Sequence, residues 1–107
     1  MGEARERLPN RRSAETWDVD ALGLHFRVTV GRYSDGRVGE IFLSNTRVNS
    51  MAGIMASDAA VVASIALQYG VPLDVIRKAL MRDVLGHASG PLGAALDTFA
   101  KEDGDAR

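Results

Sequence analysis

The chain has 107 residues, with 13 basic against 14 acidic side chains, and is 46% hydrophobic, 25% charged and 6% aromatic. That is the profile of one ordinary globular domain, long enough to bury one core and not two, and it excludes the disordered, fibrous and membrane classes. There is no cysteine, so disulfides, thiolate metal sites, thiol nucleophiles and thiyl-radical chemistry are excluded for this chain.

A net charge of −1 creates no global field to draw in nucleic acid or an anionic membrane. Neither end carries an apolar run of signal-peptide length, and no stretch approaches the ~20 residues of a membrane span. A cytoplasmic setting without a membrane partner is the default expectation.

Residues 1–13 are polar and locally basic, with Arg5, Arg7, Arg11 and Arg12 against Glu3 and Glu6, and read as an extended arm. From Ala14 the pattern becomes strand-like. Thr16 to Asp20 alternates polar and apolar, and Gly23 suits a hairpin turn. His25 to Val30 is the clearest alternation, with Leu24, Phe26, Val28 and Val30 on one side and His25, Arg27, Thr29 and Tyr33 on the other. Ser34-Asp35-Gly36 supplies a second turn, and Val38 to Leu43 a third strand. Short connections between three strands predict an antiparallel meander.

The polar stretch Ser44 to Ser50 offers several N-cap residues. A first helix is predicted over about 52–69. Ile54, Val61, Ile65 and Tyr69 recur at helical spacing, widened by Val62 and Ala66. Its small residues, Ala56, Ala59, Ala60, Ala63 and Ser64 among them, suit close packing as core. Gly70 is its stop and Pro72 the entry to a second helix, over about 72–82, with Leu73, Ile76, Ala79 and Leu80 apolar. Residues 83–90 read as a loop, 91–101 as a final short helix, and 102–107 as a disordered tail. The predicted fold class is α+β: one domain over 14–101, a three-stranded meander followed by two or three helices packed on one face.

Four segments occur in order and at a specific spacing: Arg7-Leu8-Pro9-Asn10-Arg11-Arg12, Gly31 to Arg37, Gly39-Glu40-Ile41-Phe42, and Ser64 to Leu73. They resemble the TSCPD domain found near the C-terminal end of adenosylcobalamin-dependent (class II) ribonucleotide reductases and in small free-standing proteins. The resemblance covers residues 5–80. The cysteine motif that gives the family its name is absent, as are the cysteines and the large barrel that a reductase needs. The resemblance therefore implies kinship with an appendage of the reductase and not reductase activity, and it transfers no catalytic or ligand residue. Residues 88–97 depart from the reductase pattern and look like a feature of the stand-alone relatives.

Each candidate site has a plain alternative. Arg7, Arg11 and Arg12 suit phosphates of a nucleotide or nucleic acid, or a partner's acidic face; equally, the arm packs along the sheet with its arginines solvated or paired to Asp18, Asp20 or Glu40. Ser89 and Gly90, within the Gly86–Gly93 segment, offer backbone N–H groups to an anion, or simply turn into the last helix. Trp17, Tyr33, Val38 and Phe42 are expected on the outer sheet face, as a partner surface or covered by the arm. Glu40 is placed across from His25 or Arg27, as an ion pair or the one acid–base pair worth testing. His25 and His87 lack metal-site spacing, and no metal or cofactor is called for. The expectation is a non-catalytic accessory or interaction domain that binds a protein partner or itself as a homodimer, with a link to a ribonucleotide reductase. The alternative is a small nucleotide- or nucleic-acid-binding module that uses the arginine arm.

Overall fold

The computed structural model describes residues 4–47 and 49–104. Three strands, β1 (Ala14–Ala21), β2 (Leu24–Arg32) and β3 (Val38–Asn45), form an antiparallel sheet in the order β1-β2-β3. Helices α1 (Met51–Gln68), α2 (Leu73–Ala79) and α3 (Pro91–Gly104) follow. The α+β layout of a meander followed by three helices is as the alternation and turn residues predict.

The turn chemistry is local. Leu22 and Gly23 both take positive φ, 57° and 70°, the geometry that closes a two-residue hairpin in the sense of strand twist. Gly36, at φ 96°, closes the second connection, where Tyr33 N–H donates to Arg37 O at 2.8 Å. Register runs Trp17 to Val28, Val19 to Phe26, Val28 to Leu43 and Val30 to Ile41. These pairs line one face. A bulge between Gly31 and Arg32 breaks the alternation at the far end of β2.

Val19, Phe26, Val28, Val30, Ile41 and Leu43 pack under α1 and α3. From α1 the buried contributors are Ala56, Ala60, Ala63 and Leu67; from α3 they are Leu92, Ala95 and Leu96. Trp17 stacks on Phe99 with ring centroids 6.3 Å apart, which ties β1 to α3.

Three expectations change. The large apolar residues predicted as the stripe of α1 do not face the sheet: Ile54, Val61, Val62, Ile65 and Tyr69 are exposed, and the contact is made by small residues together with Leu67 and Gln68. Small side chains let the helix backbone come close enough for Ser64 and Gln68 to hydrogen-bond the free edge of β3. Second, α2 stops at Ala79, short of the predicted Arg82. Leu80 is extended (ψ 153°), and Met81 to Asp83 pair instead with His87 to Ser89. Third, α1 spans 18 residues with a mean hydropathy of 1.5, closer to a membrane span than the sequence reading allowed. Length and composition alone do not separate such a span from a helix packed on a sheet.

Helix ends follow their caps. Ser50 Oγ accepts from Gly53 N–H at 3.1 Å at the start of α1, and Gly70, at φ 98°, follows its end. The last helix runs to Gly104, beyond the predicted Lys101; of the expected tail, 105–107 lie outside the described residues.

Candidate functional site

The arm is fastened to the sheet by its own backbone and charges. Glu6 N–H donates to Gln68 O at 2.9 Å, Tyr33 O–H donates to Glu6 O, and Arg32 N–H donates to Ser13 O at 3.1 Å. Arg37 grips the Glu6 carboxylate with both terminal nitrogens, each at 3.0 Å, and lies 4.5 Å above the Tyr33 ring. Glu6 and then Asp35 hold the Arg37 guanidinium more firmly protonated than usual. Burial, reinforced by Glu6, pushes the Tyr33 hydroxyl above its ordinary value.

Further along, Arg12 forks onto Glu40, with Nη2 at 3.2 Å from Oε1, and also donates to Pro9 O at 2.7 Å. The Glu40 side chain lies across Gly31, its register partner; a Cβ there would sit 2.7 Å from Glu40 Cγ. Glycine at 31 is thus the space into which the carboxylate folds.

Arg12 therefore has a structural duty. Arg7 and Arg11 are exposed and form no ion pair among the described residues. Arg11, Arg12, Arg32 and Ser34 line an open cavity of about 430 Å³. Ser89 and Gly90 do not join this group: Ser89 N–H is taken by Met81 O at 3.0 Å, and Gly90 O accepts from Ala94 N–H in the first turn of α3.

The four residues expected on the outer sheet face are not gathered there. Trp17 lies on the core side against Phe99, Tyr33 is buried under the arm, and Val38 packs partly on the core. Phe42 alone of the four is exposed, at 52%. The bulge at Gly31/Arg32 and the covering arm account for Tyr33.

The His25–Glu40 pair does not exist. Glu40 sits opposite Gly31 and His25 opposite Asp20, which separates the two along β2 by six residues, about 20 Å of strand. His25 instead meets Asp20 at 2.9 Å and Asp18 at 3.6 Å, and Arg27 meets Asp18 at 3.4 Å. These are solvated cross-strand polar contacts, a class worth little individually.

Two further features emerge only in the fold. The first is the outer face of α1. At 100° per residue, Met51, Met55, Asp58, Val62, Ile65 and Tyr69 fall with Ile54 and Val61 inside roughly 120° of arc, opposite Ala56, Ala60 and Ala63. The helix is apolar around most of its circumference, so periodicity alone did not choose a face; Asp58, its only charge, was the available signal. The second is an adjoining cavity of about 590 Å³, lined by Leu22, Met51, Met55, Leu80, Met81 and Pro91 among others. Beside Met81, Asp83 Oδ1 accepts from the Leu85 and His87 N–H groups at 2.9 Å each, and Arg82 holds Gly86 O and Asp97. This turn leaves Val84 and Leu85 in solvent.

An ordered arm, a meander and a small-residue helix laid against the edge strand characterise an α+β module built around β3. The TSCPD domain family matches residues 4–96, and the chain belongs to that family. Among curated relatives it is similar to the vitamin B12-dependent ribonucleotide reductases of Rhodopirellula baltica (42% identical over 72 residues, 67% of this chain), Agrobacterium fabrum (39% over 74 residues, 69%) and Streptantibioticus cattleyicolor (34% over 70 residues, 65%). The matched region is 7%, 6% and 12% of those relatives respectively. The chain thus corresponds to a small part of a reductase. No solved structure matches it.

Proposed function

We propose that the chain is a non-catalytic interaction domain that docks onto a protein partner, with a vitamin B12-dependent ribonucleotide reductase as the candidate partner. The observation that carries this reading is the distribution of side chains. Close ion pairs fasten the arm and tie the turn at Arg82 to α3, whereas large apolar side chains stand in solvent along α1 and around the neighbouring cavity. Contiguous exposed apolar surface on this scale marks an interaction site. The reductase enters through the relatives, whose length exceeds this chain many times over.

The test is calorimetric titration of the purified chain into such a reductase from which its own matching segment has been deleted. Saturable binding, with no ribonucleotide reduction by the chain alone, is the expected result. Turnover by the isolated chain, or no heat of binding at millimolar concentration, overturns the proposal.

A second reading has one observation in its favour. Among the described residues Arg7 and Arg11 form no ion pair, and Arg11 lines a cavity beside the Ser34 turn together with Arg12 and Arg32, which are paired to Glu40 and Glu15. In this reading the arm binds a nucleotide phosphate. Nucleotide at 100 times its Kd adds about 2.7 kcal/mol of stability, so an unchanged melting temperature across a millimolar nucleotide panel rules it out.

A further inference from the structure

We infer that the outer face of α1 is a self-association surface, on which a second copy of this chain docks by a two-fold axis passing close to Asp58. The inference rests on the reading of the chain as an interaction domain and names one partner for it.

Two observations favour a second copy, and a third disfavours a membrane. The first is area. From their fractional exposures, the seven apolar side chains between Met51 and Tyr69 present roughly 700 Å², near the ~800 Å² each partner contributes to a standard interface and above the ~300–600 Å² of a typical monomer's largest patch. The second is spacing. Met51, Met55, Asp58, Val62, Ile65 and Tyr69 alternate steps of four and three, the seam that lets two helices interlock side by side. The third is charge. The helix has no lysine or arginine, and its only ionisable group stands in the middle of the apolar arc. A membrane-surface helix pairs a basic face with an apolar one. Here the apolar stripe has no basic flank, and insertion would carry the Asp58 carboxylate towards hydrocarbon.

A two-fold axis has one further consequence. An interface that repeats itself brings residues near the axis against their own symmetry mates. Asp58 then faces Asp58 of the second copy, and like charges across an interface weaken it. The pairing is therefore reversible by construction, and the strength of the dimer is set at this residue. A basic partner of another kind would instead be held by Asp58.

Sedimentation equilibrium of the full chain over a wide concentration range reads this directly. The wild type is expected to self-associate as a monomer–dimer pair. Val62→Arg and Met55→Arg, both at exposed positions, are expected to weaken the dimer by on the order of 100-fold, with far-UV CD and melting temperature retained. Asp58→Asn is expected to tighten it by about 10-fold.

A wild type that stays monomeric at millimolar concentration overturns the inference, as does a dimer that Val62→Arg and Met55→Arg leave intact. Weakening by Asp58→Asn overturns the symmetric arrangement, and flotation with neutral vesicles that Val62→Arg abolishes assigns the face to lipid. A monomer that still binds the reductase defeats this inference alone; a dimer that ignores the reductase defeats the proposed function alone.

Discussion

Ser64 of α1 holds both backbone groups of Ile41 in β3. Its hydroxyl accepts from Ile41 N–H at 2.8 Å, and its own proton lies between Ile41 O at 3.1 Å and Ala60 O at 2.8 Å. Four residues on, Gln68 Nε2 donates to Gly39 O at 2.9 Å. β3 is an edge strand, and unpaired edges invite a further strand. Here helix side chains occupy that edge, which Ala60 and Ala63 permit by letting α1 approach closely.

Replacing Ser64 with Ala leaves the Ile41 N–H buried without a partner. The expected cost is about 1–3 kcal/mol, seen as a lower urea midpoint with an unchanged m-value. A stability within error of wild type would show that the edge finds another acceptor.

Gly31→Ala drives a methyl group into the Glu40 side chain and so strains the Arg12 fork. A loss of about 1–3 kcal/mol is expected. Glu40→Ala removes the obstruction, so the double variant should recover part of the loss. The checking measurement is a double-mutant cycle in urea, and strict additivity would contradict the packing described.

Tyr33→Phe removes the hydrogen bond to Glu6 O and is expected to cost about 1 kcal/mol. Arg7→Ala and Arg11→Ala should leave the melting temperature unchanged, because neither side chain fastens the arm. If either variant also abolishes a nucleotide-induced shift, the arm has a ligand beyond its structural task.

Acid should destabilise the fold partly through Asp97. Hydrogen bonds from Arg82 hold its carboxyl below the usual range, against partial burial, with Arg77 adding to the effect. A depressed folded-state value stabilises above the unfolded pKa, near 3.9, and that stability is lost as pH falls through the folded value. Asp97→Asn should therefore flatten the stability profile below about pH 4. Asp35, Asp74 and Asp83, also depressed, keep a residual slope. A profile parallel to wild type would remove Asp97 from the account.

Much of the fold was legible because its signals are local. The alternation from His25 to Val30, the turn glycines Gly23 and Gly36, the Ser50 cap and the Gly70 stop each act within a few residues of themselves. The candidate site was less legible. Arg7, Arg11 and Arg12 look alike in the sequence, yet only the fold shows that Arg12 is committed to Glu40 while the other two are not. Alternation places Tyr33 on the outer face, because the bulge that shifts it leaves no mark in composition. Alternation alone permits His25 opposite Glu40, whereas the actual cross-strand register depends on the exact length of the connection and on that same bulge.

The amino-acid order alone settles where strands and helices begin and end to within a few residues, and its absence of cysteine settles which chemistries this chain lacks, since both depend on properties each residue or short segment carries by itself. Which side of α1 meets the sheet, which arginine is bound and which apolar residues are left in water were decided only when the elements packed. Those outcomes depend on distances between segments far apart in the chain, and on α1 the closer approach permitted by alanine and serine prevailed over the larger side chains that periodicity favoured.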